Sequence, residues 1–440
     1  MKQDFNSFGR IHRQKRNSLP FERFNMSPET MGGNDGGLLP FGNGRSYGDS
    51  CHNDQGLLIA MRDHARIIDF DHNNGILEAA SGITLEEIIP AIAPSGFFLA
   101  VTPGTKFVTL GGAIANDVHG KNHHLRGTFG CHVESLQLLR SDGQIYLCSS
   151  SENEALFRAT IGGMGLTGII ISARIRLMKT GSLDIIEKIT PFNNLEHYFD
   201  IAEANDAENE YAVAWLDQLA SGKKTGRGVL IAGNHADNGN FTVKKRGFLP
   251  SVPFEMPFSM LNCFSLTAFN YAYFKAKSGN SAPHLTGMDS FFYPLDGVKH
   301  WNRLYGRAGL FQHQSVIPFE TARKGIASLL QAASEAGQAS FLTVLKRFGS
   351  ISSPGILSFP RAGYTLTLDF PNKGIKTLQL LDRLDAITID SGGRVNPYKD
   401  HHMSAACFEQ GFAQWQTLET LRDPAFCSDF WYRTALAGHN

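Results

Sequence analysis

The sequence predicts a two-domain α+β protein, and three observations carry that expectation. Up to about residue 180 the chain holds many short elements of both kinds, without the regular alternation of a doubly wound parallel sheet. From about residue 184 the texture changes to longer mixed stretches, and the segment from Gly392 to Asn440 reads as a return to the first part. A chain of 440 residues, 42% hydrophobic and 19% charged, can bury more than one core.

Composition removes several function classes. Lys plus Arg and Asp plus Glu number 41 each, so the formal net charge is +0, and no long basic run could track a phosphate polymer. Nucleic acid is therefore not an expected partner. The cysteines at 51, 131, 148, 263, 407 and 427 include no CxxC pair and form no disulfide framework in so long a chain. The basic N-terminus, MKQDFNSFGRIHRQKRN, lacks the apolar stretch and small-residue cleavage site of a secretory signal. No uncharged apolar run reaches the roughly 18 to 20 residues of a spanning helix. The expectation is a cytoplasmic protein that meets a membrane at most peripherally.

Taken in order, residues 76 to 101 read strand, helix, strand. Thr84 with Glu87 makes a capping box and Gly96 a stop, while Pro90 and Pro94 keep the helix short or irregular. ESLQLLRSDGQIYLCS alternates apolar positions on either side of Asp142 and Gly143, a hairpin signal. EALFRATIGGMGLTGIIISARIRLMK then reads as a helix, a glycine-rich turn and a long β-branched strand. A polar loop runs from Leu219 to Arg227. The segment Phe248 to Phe274 is dense in Phe, Pro, Met and Leu and nearly uncharged. It reads either as proline-bent core, or as a mobile flap or a surface that touches a lipid tail or a membrane.

The chemistry gathers in two glycine-dense turns, GNGRSYGD at 42 to 49 and TPGTKFVTLGGAIANDVHGKNHH at 102 to 124. Glycines at 42, 44, 48, 104, 111 and 112 let backbone amides approach a bulky anion that side chains would block. Two such turns suggest one elongated ligand, a diphosphate-bearing nucleotide. The GxGxxxG spacing and the missing strand–glycine–helix unit do not fit the dinucleotide fingerprint of a nicotinamide site. His119, Lys121, His123 and His124, with His132 after them, lack zinc spacing, and no metal is expected. They read better as a loop at the reacting face of a cofactor, where imidazole and ammonium stabilise developing charge. Gln312 and Gln314 alternate on a strand, so both can face one pocket while His313 points away. Amides there suit sugar hydroxyls. Lys346 lies in a second cluster, FLTVLKRFG. Lys399 follows Pro397 and Tyr398 in a rigid turn, and near a flavin's N1 and C2 carbonyl edge it would stabilise the reduced ring.

In this order, GNGRSYGD, TPGTKFVTLGGAIANDVHGKNHH, LFRATIGGMGLTGII, PLDGVKHWNRLYGRAGLFQHQ, VLKRFG and YKDHH resemble the flavin oxidases of the decaprenylphosphoryl-β-D-ribose 2-epimerase family, which have the vanillyl-alcohol-oxidase (PCMH) type of FAD-binding fold. The resemblance implies an FAD-binding domain from residues 1–183 and 394–440, with an antiparallel-sheet substrate domain, 184–393, inserted between. It implies cofactor contacts from Pro40, Phe41, Gly42, Asn43, Gly44, Arg45, Ser46, Tyr47, Gly48, Asp49 and Ser50 in the first turn. Gly104, Thr109, Leu110, Gly111 and Gly112 follow in the second, then Asn116, Asp117, Val118 and His119, with Ile171 and Asn396 further on. The substrate side would carry Lys121, Gln312, Gln314, Lys346, Thr365 and Thr367, and the catalytic groups would be Lys399, Tyr47 and His119.

In that family a polyprenyl-phosphate pentose loses hydride from C2 to the flavin, and an NAD(P)H-dependent reductase partner completes the epimerisation. Arg45 fills the slot where many relatives of the wider fold carry a flavin-linked histidine, which implies non-covalent FAD. Asn116 and Thr367 stand where the epimerase oxidase has cysteine, and Asn396 where it has an aromatic residue. The expected function is therefore FAD-dependent oxidation of a secondary sugar alcohol, with the C2 of a lipid-linked pentose as first choice. The alternatives are a soluble aldonolactone or sugar-alcohol oxidase using oxygen, and a non-catalytic flavin-binding protein at a membrane.

Overall fold

The computed structural model describes residues 2–25, 36–243, 247, 249–279 and 282–437. Three sheets organise them. Lys2–Gln3, Arg16–Pro20, Leu57–Ala60 and Leu38–Phe41 lie side by side in a four-stranded sheet, whose last three strands run parallel. The second sheet is antiparallel, in the order Ile67–Asp71, Ile76–Ala80, Ile169–Lys179, Val133–Leu139 and Ile145–Ser149, with Phe97–Leu99 along the far end of the long strand. The hairpin expected at Asp142 and Gly143 joins Val133–Leu139 to Ile145–Ser149, and Gly143 turns it at φ +76°.

The helix Leu85–Ile92 covers this second sheet. Thr84 Oγ1 accepts from the Glu87 amide and the Glu87 carboxylate accepts from the Thr84 amide, which satisfies two orphan donors of the first turn. Leu85, Ile88, Ile89 and Ile92 recur at helical spacing and are all buried. Pro90 removes one helix hydrogen bond, and the helix passes after two turns into a 3-10 turn at Ala93–Ser95, ended by Gly96 at φ +79°.

The third sheet has eight antiparallel strands, in the order His284–Thr286, Ile185–Phe192, Gly228–His235, Tyr211–Leu216, Val344–Phe348, Gly363–Pro371, Leu310–Ile317 and Arg394–Val395. Alternation divides its faces. Ala212, Ala214 and Leu216 join the core under the helices Leu195–Glu208, Phe319–Glu335 and Ile375–Asp390, while Val213 and Trp215 face the other way. Leu310–Ile317 lies inside this sheet and is buried throughout, so Gln312 and Gln314 do not sit on a solvent-facing edge.

Arg394–Val395 still belongs to the third sheet, and only then does the chain return to the first part. Leu38 exchanges backbone hydrogen bonds with Ala425 and Cys427, and Phe408, Phe430 and Trp431 pack with Met164 and Leu166. The apolar segment ending at Phe274 is core only in part: Leu261 and Leu266 are buried with Trp301 and Tyr305. Phe254 is 62%, Phe258 68% and Phe264 87% exposed, and Phe264 sits on the first turn of the helix Cys263–Ser278. Phe248, at its start, lies outside the described residues. All six cysteines are free. No helix among the described residues is long and apolar enough to cross a membrane.

Candidate active site

The two glycine turns touch. Asn43 Nδ2 donates to the Phe107 carbonyl at 2.7 Å, and a Cβ on Gly42 would lie 2.5 Å from Thr109 Oγ1, so only glycine permits the contact. Together they wall one side of a cavity of about 800 Å³, in the upper range for a small-molecule site. Gly104 opens onto it with nothing within 4 Å of where a Cβ would stand. Among the described residues, the amides of Gly44, Arg45 and Ser46 are given to no acceptor of the chain. The Arg45 guanidinium lies over Phe107, 5.0 Å from the ring centre, and its Nε has no hydrogen-bond partner although buried. Unspent amides and a guanidinium whose Nε lacks a partner, in one groove, fit the diphosphate of FAD. These residues would hold the cofactor without a covalent link.

The opposite wall comes from the third sheet and from the turn after it. Gln312, Gln314, Lys346, Thr367, Asn396 and Lys399 line it, joined from the first part by Tyr47, His119 and Lys121. The polarity of the amides here is set by the backbone. The Tyr398 amide donates to Asn396 Oδ1, so Asn396 Nδ2 donates to Gln314 Oε1, and Gln314 Nε2 turns to His119 Nε2 at 3.1 Å and to Thr365 Oγ1 at 2.9 Å. His119 Nε2 is thus an acceptor, and the neutral ring carries its proton on Nδ1. Enclosure, with Lys346 and Lys399 nearby, holds the ring well below the usual histidine range.

Four lysines line the cavity, and Lys299 is exposed at its edge. Lys121, Lys346 and Lys399 are half-buried because they face the cavity, yet each is walled in by protein. Desolvation, then Lys399 and Lys121, pull Lys346 down to about 7; desolvation pulls Lys121 down to about 8. Lys121 donates to the Phe291 carbonyl and lies over that ring at 4.3 Å. Lys399 lies 5.6 Å from the Tyr47 ring centre; burial pulls it toward the neutral amine, and Asp369 opposes this. Asp369 is fully buried, accepts from Gln312 Nε2 at 2.5 Å, and is pushed up by its own desolvation. Burial and Asp369 likewise raise the Tyr47 phenol.

Several residues expected in the site stand behind its lining instead. Phe41 packs on Phe5, Leu110 is core, Ile171 gives its carbonyl to the Ser81 amide while Ile170 lines the cavity, and Thr365 holds Gln314. Asp117, at φ +40°, accepts from Ser353, Ser358 and the Gly130 amide, which pins its loop to the substrate side. Gly48 and Asp49 face Asp400 and Arg433. The other histidines diverge: His123 stacks near Phe348, His124 bonds the Asn209 carbonyl and His132 the Arg126 carbonyl.

Sequence reasoning missed Asp369, although Thr365, Thr367 and Asp369 share one face of Gly363–Pro371 at period two. It also missed Trp215, Ile231 and Tyr273, which give the cavity an apolar end beneath the helix Cys263–Ser278, with Trp215 and Tyr273 rings 4.7 Å apart.

Comparison with known proteins agrees with this geometry. A family model described as an FAD binding domain matches residues 31–149. Decaprenylphosphoryl-beta-D-ribose oxidase of Mycolicibacterium smegmatis is 33% identical over 419 residues, 91% of this chain and 89% of its own. A Streptomyces coelicolor protein, known as the uncharacterized protein in the mprA 5′ region, is 29% identical over 375 residues, 80% of this chain and all of its own. Mouse L-gulonolactone oxidase is 26% identical, but over only 39% of this chain and 38% of its own. FAD-dependent oxidoreductases of the vanillyl-alcohol-oxidase type, and within them the family of decaprenylphosphoryl-β-D-ribose oxidase, are where this chain belongs.

Proposed function

We propose that this enzyme oxidises the C2 hydroxyl of a polyprenyl-phosphate pentose to the 2-keto sugar, as the first half of an epimerisation that an NAD(P)H-dependent reductase completes. The observation that carries the reading is the wall opposite the cofactor groove, where Lys121, Lys346 and Lys399 face an enclosed space, while the buried Asp369 carboxylate lies behind the lining, bonded to Gln312. Such a concentration of cations favours an anionic ligand, and a sugar carrying a phosphodiester supplies one.

FAD, when bound, accepts the hydride from the sugar carbon. Lys399, drawn toward its neutral form, takes the hydroxyl proton at Nζ, and Tyr47 and His119 hold the alcohol beside it. Lys346 and Lys121 bind the phosphate. Gln312, Gln314 and Thr367 orient the pentose hydroxyls, Gln314 being fixed by Asn396 and Thr365. The apolar end at Val213, Trp215, Ile231 and Tyr273 receives the start of the prenyl chain. Phe254, Phe258 and Phe264, with Lys275 and Lys277 on the same helix as Phe264, rest on a membrane surface.

Anaerobic mixing of the flavin-loaded enzyme with lipid-linked and free sugars tests this. Bleaching of the flavin by a polyprenyl-phosphate pentose, and not by free pentoses, is the expected result. Bleaching by aldonolactones or free polyols, with peroxide in air and no response to the lipid-linked sugar, would replace the reading with a soluble oxidase. A loaded enzyme that no alcohol bleaches would make it a flavin-binding protein without this chemistry.

A further inference from the structure

A buried clamp joins the cofactor loop to the lysine turn through the far end of the chain. Arg433 Nε and Nη2 donate to the two oxygens of Asp49 at 2.9 and 3.0 Å, and Nη2 also reaches Asp400 Oδ2 at 2.9 Å. Its Nη1 donates to the Met403 carbonyl. Asp49 closes the first glycine turn, and Asp400 directly follows Lys399. Both carboxylates are buried, at 5% and 8% exposure. Asp400 in turn accepts from the His402 and Met403 amides, which shapes the turn that carries Lys399. Arg433 itself sits in a π-helical turn, Tyr432–Leu436, which widens the backbone where its side chain departs.

A second observation places the same two segments in direct contact. A Cβ on Gly48 would lie 1.4 Å from the Asp400 carbonyl oxygen, although φ there is −108°, which any residue can adopt. Gly48 is therefore glycine because the cofactor loop is pressed against the lysine turn. On its other side the loop is held by Phe8 and Gly9, whose amides donate to Ser46 and Tyr47; Gly9 accepts from the Leu310 amide at the head of the glutamine strand.

We propose that Arg433 is a positioning residue that couples FAD binding to the placement of Lys399, so that the flavin is held tightly only when the lysine turn is in its reactive position. Coupling is reciprocal, so a change that displaces the backbone of the turn must weaken the cofactor, whereas truncation of the Lys399 side chain, which leaves the clamp intact, does not. The inference rests on FAD as cofactor and not on the sugar, so its test is independent of the substrate.

The test compares the flavin dissociation constant, and the rise in melting temperature from apoprotein to loaded protein, in D400N, R433K and K399A. D400N keeps the size of the side chain and an acceptor oxygen but removes the charge. R433K keeps the charge but cannot fork across both carboxylates. Both are expected to bind flavin about tenfold more weakly, with a smaller flavin-induced rise in melting temperature. K399A is expected to bind flavin as tightly as the parent. A purely structural Asp400 would lower both melting temperatures together and leave the rise unchanged. That result, or unaltered flavin affinity in both D400N and R433K, would overturn the proposal. Should D400N fail to fold, R433K decides alone.

Discussion

At the scale of single residues, Lys346 shows what the cavity does to a charge. Its ammonium is drawn down to about 7, so the cation that would bind a phosphate is present below that pH and lost above it. Activity with the lipid-linked sugar, read as kcat/KM, should therefore fall as pH rises through about 7 to 8, and K346M should lower it and erase that limb. K346M should also stabilise the apoprotein at pH 6, by on the order of 1 kcal/mol after allowance for cavity water. Between about 7 and 10.5 the unfolded chain binds the proton that folded Lys346 gives up, so stability rises with pH there and the gain from K346M shrinks. Thermal melts of both proteins from pH 6 to 9 measure this. Asp369 acts on the neighbouring cation with the opposite sign. D369N keeps an acceptor for Gln312 but removes the charge that favours protonated Lys399, so the rise of flavin reduction with pH should move to lower pH. Stopped-flow reduction across pH 6 to 10 reads the shift, and an unmoved profile would separate Asp369 from Lys399. Thr367 was readable as a pocket residue; Asp369, two further along the same face, was not, because an acid inside an apolar strand has no meaning until Gln312 is seen opposite it.

At the scale of elements, local signals were legible and their partners were not. The capping box at Thr84, the hairpin at Asp142 and Gly143, and the Gln312 and Gln314 alternation all formed, because each depends on neighbours within a few residues. The segment ending at Phe274 could not be placed, since apolar composition is the same for a core and for a surface that waits for a lipid. The structure divides it, burying Leu261 and Leu266 but exposing Phe254, Phe258 and Phe264, and the triple substitution F254S, F258S and F264S should reduce sedimentation with anionic lipid vesicles while flavin content stays at the parent level. The glycine turns gave the reverse case: both were readable, but their contact was not. Gly42→Ala would put a methyl group 2.5 Å from Thr109 Oγ1, a clash neither turn can absorb without separating. Protein purified from this variant should carry markedly less flavin by its visible spectrum, and full occupancy would show that the two turns need not touch.

At the scale of the whole molecule, the family match at residues 31–149 suggests a self-contained cofactor domain, and the structure argues otherwise. Leu38, which leads into the first glycine turn, completes its backbone hydrogen bonds with Ala425 and Cys427. Asn53 bonds the Cys427 carbonyl and Asp49 pairs with Arg433. Met164 and Leu166 are buried against Phe408, Phe430 and Trp431. Removing the C-terminal segment would expose these apolar side chains, at roughly 25 cal/mol for each Å² returned to water, and leave the Asp49 carboxylate without its guanidinium. No local pattern could reveal this, because the contacts join residues hundreds of positions apart. A fragment of residues 1–183 should therefore fail to bind flavin, although it contains the entire match. Adding residues 394–440 in trans should restore part of the binding if that segment supplies closure and not merely solubility. Flavin fluorescence quenching on titration measures both steps, and a yellow, stable 1–183 fragment would show that the groove between the two turns is sufficient and that the returning chain serves only the lysine.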